Sequence, residues 1–151
     1  MTKHTAPPLE VIIPVLEKSG RGENELTAQL YETYCNIAKG IKKILGLTGK
    51  DMKTLARVWE VFIAFEEIRM QPIELSESKF SLSIADCPMI HVGKDVSSNV
   101  KSKFCDLICT AGSKALMDTV LEKKKGTCTW SKTLIKGMGK CTLKFELVKA
   151  R

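Results

Sequence analysis

The spacing of apolar residues changes along the chain, and this change limits the possible folds more than any other feature. From residue 24 to about 68, apolar side chains recur every three to five positions, as one buried face of a helix requires. From Lys79 to Ala85, apolar and polar residues alternate, which is typical of a strand with one face in water. A helical stretch from Ser97 and two strand-like segments follow. We therefore expect an α+β fold, in which an antiparallel sheet of two hairpins packs against N-terminal and central helices on one side.

Local signals place the boundaries of these elements. The predicted elements are helices over 24–45 and 48–68, strands over 70–75 and 79–85, a helical stretch from 97, and strands over 127–134 and 140–148. Thr48 is the expected cap of the second helix, and Gly46 the expected end of the first. Gly112 is expected to break the helical stretch into two pieces. The glycines at 137 and 139 are expected to turn the second hairpin.

Length and composition favour one compact domain. The chain has 151 residues, of which 44% are hydrophobic, so a core can form without disulfides or metals. We expect a single domain over 1–151, with 1–22 as a flexible or loosely packed segment. The N-terminus has no apolar secretory signal, and the longest apolar stretch, 58–65, is too short to span a membrane. A cytoplasmic protein with no membrane partner is therefore expected.

The net charge of +7 raises the question of a nucleic-acid partner. The basic residues lie in short clusters rather than one stripe, Lys outnumbers Arg, and the aromatic content is 6%. Readers of bases depend on Arg and on stacking aromatic rings, so nucleic acid is not expected. The positive field favours an anionic substrate or partner instead. The expected partners are a small-molecule ligand and, in a homodimer, a second copy of the chain.

Six cysteines are the most distinctive feature of the chain. Cys105 and Cys109 are four residues apart on a predicted helix, so their side chains share a face. Cys87 follows a predicted strand, and Cys141 begins the last one. If the sheet packs on that helix, these four thiols can converge. With no export signal, free thiols or metal ligands are the expected state.

Several functions are compatible with this pattern. Buried cysteines can serve simply as small apolar residues, as we expect for Cys35. Alternatively, Zn²⁺ or an Fe–S cluster takes three or four Cys or His ligands, which Cys87, Cys105 and Cys109 would supply, with His91 as a further candidate. Cys109 and Cys141 are candidates for contacts to a cofactor of unknown identity. Cys87 or Cys105 could instead act as a nucleophile with His91 as acid and base, or a redox-active pair could form.

Three short motifs carry a resemblance to a known family. They are DCPM at 86–89, FCDLIC at 104–109 and KTLIKGMGKCTLKF at 132–145. Over about 59–147 the chain resembles the L-2-amino-thiazoline-4-carboxylic acid hydrolase-like family. Its last strand is similar to that of the vinyl-reductase small-molecule-binding domain. The matching positions are Cys87, Cys105, Cys109, Gly137 and Cys141, whereas Leu143 stands where an aromatic residue is commoner.

The resemblance implies a compact α+β ligand-binding fold and, from the family name, hydrolysis of a thiazoline ring. We therefore expect a small-molecule-binding protein, with hydrolysis of a small cyclic or anionic substrate as the candidate activity. The alternative is a non-catalytic sensor or carrier that holds a metal, an Fe–S cluster or another cofactor through its cysteines.

Overall fold

The computed structural model describes residues 23–65, 68–86, 98–122, 124–132 and 140–148. These residues form three helices and a four-stranded antiparallel sheet, which confirms the predicted α+β class. The elements are α1 (Glu23–Leu45), α2 (Met52–Phe65), β1 (Arg69–Leu75), β2 (Lys79–Asp86), α3 (Ser98–Leu121), β3 (Gly126–Lys132) and β4 (Cys141–Leu147). The predictions for 1–22 and for the turn at 137–139 lie outside the described residues.

Hydrogen bonds fix both the end of α1 and the beginning of α2. Gly46 has a φ of 64°, the left-handed conformation in which a Cβ is costly, and it ends α1 as predicted. The amide of Leu47 donates to the carbonyl of Lys42 at 2.8 Å, completing a Schellman motif. The prediction that Thr48 caps α2 is wrong. Asp51 is the cap, because its Oδ1 accepts hydrogen bonds from both the amide and the hydroxyl of Thr54 at 2.9 and 2.7 Å.

We expect Asp51→Ala to lower the free energy of unfolding by about 1 kcal/mol at neutral pH, because two donors lose their acceptor. Hydrogen bonds from Thr54 hold the pKa of the Asp51 carboxyl below its usual range. A carboxyl whose pKa is lower in the folded state stabilises the fold fully at pH values above its unfolded pKa of about 3.9. This contribution disappears as the pH falls through the folded-state pKa. Urea unfolding at a series of pH values should therefore show the difference between wild type and variant shrinking in acid. A difference that stays constant down to pH values below both pKa values would contradict this role.

The sheet has the strand order β1-β2-β4-β3, so the two hairpins meet through β2 and β4. Phe80 lies opposite Phe145, and Leu82 lies opposite Leu143. Residues directly opposite one another in an antiparallel pair point to the same face. These side chains are buried on the face that the helices cover, as the alternation in β2 predicted. The other face is polar, and Lys144 pairs there with Glu146 at 3.3 Å.

Aromatic rings form the contact between α2 and the sheet. The ring of Phe145 lies parallel to that of Phe80, with centroids 6.0 Å apart, and 5.6 Å from the ring of Trp59. Phe62 packs edge-on against Trp59 at 5.6 Å and against Tyr34 of α1 at 5.5 Å. These ring contacts connect α1 to α2 and α2 to the sheet. Such edge-to-face and offset pairs stabilise a core beyond the area they bury.

Helix α3 packs along α1 in the largest helix–helix contact of the fold. It runs without interruption through Gly112, so the prediction that this glycine breaks the helix is wrong. The reason is tertiary. A Cβ placed on Gly112 would lie 3.4 Å from ring atoms of Tyr34, so the small residue lets the two helices approach closely. Among the described residues, no helix is long and apolar enough to cross a membrane.

Strand β1 forms one margin of the sheet and pairs irregularly with β2. The register shifts between Arg69 and Met70 and again between Pro72 and Glu74. Ile73, between the latter two, is 57% exposed. Pro72 cannot donate a backbone hydrogen bond, which suits the outermost of the described strands.

Candidate functional site

The structure brings together one pair of the predicted thiols. The sulfur atoms of Cys105 and Cys109 lie 3.8 Å apart on α3, as their spacing predicted. Cys105 and Cys141 are buried, and none of the five described cysteines forms a disulfide. Cys87 and His91 lie outside the described residues, so their predicted roles stay predictions. Within the part of the chain that is described, no three His, Cys, Asp or Glu side chains are placed to hold a metal ion.

The side chain of Trp130 joins β3 to α3 directly below this pair. Its indole Nε1 donates to the carbonyl of Cys109 at 3.1 Å and to the hydroxyl of Ser113 at 2.7 Å. Ser113 is fully buried, so the indole supplies a partner that its hydroxyl would otherwise lack. Trp130 shares the helix-covered face of the sheet with Cys128, because Trp130 lies opposite Leu143 and Cys128 lies opposite Phe145. These contacts fix the distance between α3 and β3.

A groove of about 370 Å³ opens between α3 and β3. It is lined by Thr110, Lys114, Met117, Gly126, Cys128, Thr129 and Trp130. One wall is helical, because the residues of α3 in this set are four and then three positions apart. The other wall is the beginning of β3, where Gly126 has no side chain to fill the space. A Cβ on Gly126 would come within 2.9 Å of the sulfur of Met117, so a larger residue here would have to displace the Met117 side chain.

Lys114, which lines the groove, belongs to a network of three polar side chains. The carboxylate Oδ2 of Asp118 accepts hydrogen bonds from the hydroxyl of Tyr31 and from the ammonium of Lys114, both at 2.7 Å. The ammonium also lies 5.8 Å from the centre of the Tyr31 ring, within the range of a cation–π contact. The hydrogen bond to the carboxylate, followed by burial, raises the pKa of Tyr31 well above its usual value. The network ties α1 to α3 and fixes the position of the ammonium.

Cys35 lies beside this network on α1. Its thiol points to the carbonyl of Ala115 on α3 at 3.8 Å, and its half-buried side chain packs against the core. The prediction that Cys35 serves packing agrees with this position.

Sequence reasoning did not find the groove or the network at Lys114. The predicted site centred on cysteines other than Cys128. A signal was present in α3, where Thr110, Lys114 and Met117 form a mixed stripe at helical spacing. The partner wall could not be assigned to it, because nothing in the sequence states which strand this stripe would face.

No family model matches the chain, and no curated protein matches it. Among solved structures, the chain is similar to a trafficking protein particle complex subunit 3 from Naegleria fowleri covalently bound to palmitic acid. The two chains share 14% sequence identity, with a TM-score of 0.67. The similarity covers 93% of this chain and 90% of that chain. At this identity the likeness establishes a shared fold over nearly the whole length of both.

Proposed function

We propose that this protein is a non-catalytic subunit of a trafficking-type assembly that binds an acyl-type small molecule in the groove between α3 and β3. The groove is the main observation that supports this proposal. Its volume of about 370 Å³ is within the range of about 300–1,000 Å³ typical of small-molecule sites. Its walls combine apolar surface from Met117, Cys128 and Trp130 with the hydroxyls of two threonines. An acyl chain that ends in a polar carbonyl group has the matching chemistry.

The solved structure of similar fold supports the ligand class and the subunit role. That protein is named as a subunit of a trafficking complex and is covalently bound to palmitic acid. The present chain has a thiol in its groove, that of Cys128. The thiolate form could attack the carbonyl carbon of an acyl thioester. A new thioester would form, the bond to the carrier sulfur would break, and the carrier thiol would leave with the proton. Binding of the acyl group itself does not require this step.

The two tryptophans of the chain allow the ligand to be located. Trp130 lines the groove, whereas Trp59 is 4% exposed in the core between α2 and the sheet. We expect dodecanamide to change the fluorescence of a Trp59→Phe variant, in which Trp130 is the reporter, and to saturate that change. A Trp130→Phe variant, which keeps Trp59, should show no saturable change. Equal signals from both variants would place the ligand elsewhere, and no signal from either would refute acyl binding.

Matched cysteine variants test whether the groove itself is occupied. Cys128→Leu adds bulk inside the groove, and Cys35→Leu adds the same bulk to a half-buried cysteine outside it. We expect the first change to weaken dodecanamide binding and the second to leave it unaltered.

The subunit role requires the native protein in cell extract to elute as a species much larger than its own 16.8 kDa. Elution as a monomer in fresh extract would count against that role.

Hydrolysis and metal or cluster binding remain predictions from the sequence. The metal or cluster site includes Cys87, and the predicted hydrolase uses Cys87 or Cys105 as nucleophile with His91 as acid and base. A homodimer and a cytoplasmic location likewise remain predictions. The Cys105–Cys109 pair supplies two sulfur ligands where a structural metal site needs three or four, so acyl binding is the function that the described residues support best.

A further inference from the structure

Two hydrogen-bond donors in the wall of the groove, those of Trp130 and Lys114, are engaged within the protein. The indole N–H of Trp130 already donates to Cys109 and Ser113. The ammonium of Lys114 is held by Asp118 at 2.7 Å. Among the described residues that line the groove, Lys114 alone is charged, and its charge is compensated by this carboxylate. The groove therefore offers a ligand little positive charge, although the whole chain carries a net charge of +7.

An anionic ligand would be disfavoured in such a groove for two reasons. A carboxylate that leaves water loses its hydration, and this cost is large unless a charge or several donors replace the water. The carboxylate of Asp118, which lies 2.7 Å from the Lys114 ammonium, would also repel it. Asp118 is kept at this position by two partners, because Tyr31 of α1 and Lys114 of α3 both donate to its Oδ2.

We propose, on the basis of the proposed acyl-binding function, that the Tyr31–Asp118–Lys114 network determines the charge class of the ligand. By compensating the ammonium, it makes the groove select uncharged acyl compounds, such as amides, esters and thioesters, over free fatty-acid carboxylates. Lys114 is the specificity-determining residue, and Asp118 and Tyr31 are positioning residues that act through it. An acyl group held as a thioester belongs to the favoured class, because it has no carboxylate.

Dodecanamide and dodecanoate differ in charge but share their alkyl chain, so they form a suitable pair of probes. Binding is followed by Trp130 fluorescence in the Trp59→Phe background at pH 7.5. We expect the amide to bind the otherwise unmodified protein more tightly than the carboxylate. Asp118→Asn, which leaves the Lys114 charge uncompensated, should raise the affinity for dodecanoate about two- to five-fold, the scale of an exposed ion pair. Its affinity for the amide should not change.

Two further variants separate selectivity from general structural effects. Adding Lys114→Met to Asp118→Asn should abolish the gain for dodecanoate. Glu60→Gln removes the same charge from the exposed Arg57–Glu60 pair on α2 and should leave both affinities unchanged. The proposal is overturned if dodecanoate binds as tightly as the amide, or if Asp118→Asn changes both affinities equally. Failure of both probes to bind any variant would overturn the acyl-binding function itself, whereas unselective binding overturns this proposal alone.

Discussion

Phe145→Ala is expected to lower the free energy of unfolding by about 3–5 kcal/mol, the range for deleting a buried aromatic ring. Phe145 is fully buried at the centre of the sheet. Its ring contacts Phe80 within the sheet and Trp59 of α2. Deleting the ring therefore opens a cavity between the sheet and α2. A loss of this size is a large fraction of the 5–15 kcal/mol typical of a whole domain. Guanidinium unfolding followed by circular dichroism measures it.

The adjacent residue provides the control for this prediction. Lys144 is in the same strand but points to the polar face, where it pairs with Glu146. We expect Lys144→Ala to change the free energy of unfolding by less than about 1 kcal/mol, as for other exposed ion pairs. If Phe145→Ala cost as little as Lys144→Ala, the packing of α2 on the sheet would be wrong.

Gly112→Leu should lower the free energy of unfolding by about 1–3 kcal/mol, because its side chain would enter the contact between α1 and α3. A Cβ at this position already reaches the ring of Tyr34 at 3.4 Å, and the remaining atoms of a leucine would overlap it. Gly112→Ala adds only the Cβ, at an ordinary contact distance, and should not destabilise. Thermal unfolding measures both, with about 2–4 °C expected for each kcal/mol in a chain of this size.

Gly40 provides a matched control for Gly112. Both glycines lie inside helices, but a Cβ on Gly40 would have nothing within 4 Å. We expect Gly40→Leu to raise the free energy of unfolding by about 0.5–1 kcal/mol through helix propensity alone. Opposite shifts at the two sites would confirm that packing, not propensity, decides the effect at Gly112. A Gly112→Leu variant that is as stable as Gly40→Leu would contradict the close helix contact.

The fold could be predicted where burial of one face imposes a regular pattern. In α1, Leu26, Leu30, Ala38 and Ile41 recur at helical spacing and are all buried. In β2, the alternating apolar residues are buried against the helices for the same reason. The nearness of Cys105 to Cys109 followed from geometry within a single helix. In each case the relevant contact depends on residues close together in the sequence.

Features that depend on distant parts of the chain could not be predicted. The propensity of Gly112 indicates a helix break, but the contact with Tyr34 makes a small residue favourable at that position. Hydrogen-bond partners decide the cap of α2, and the sequence alone does not show that Asp51 accepts both hydrogen bonds from Thr54. The hydrogen bond between Tyr31 and Asp118 joins residues 87 positions apart. A groove built from two elements, α3 and β3, has no signature in one sequence.

The irregular β1 has a consequence for behaviour at high concentration. Fibril growth requires a flat outer strand whose free N–H and C=O groups can bind an incoming chain in continuous register. The two shifts of register in β1, together with the missing donor of Pro72, interrupt that template. The exposed Ile73 and Leu75 consequently lie on a margin that is poorly suited to recruit another molecule into an extended ladder.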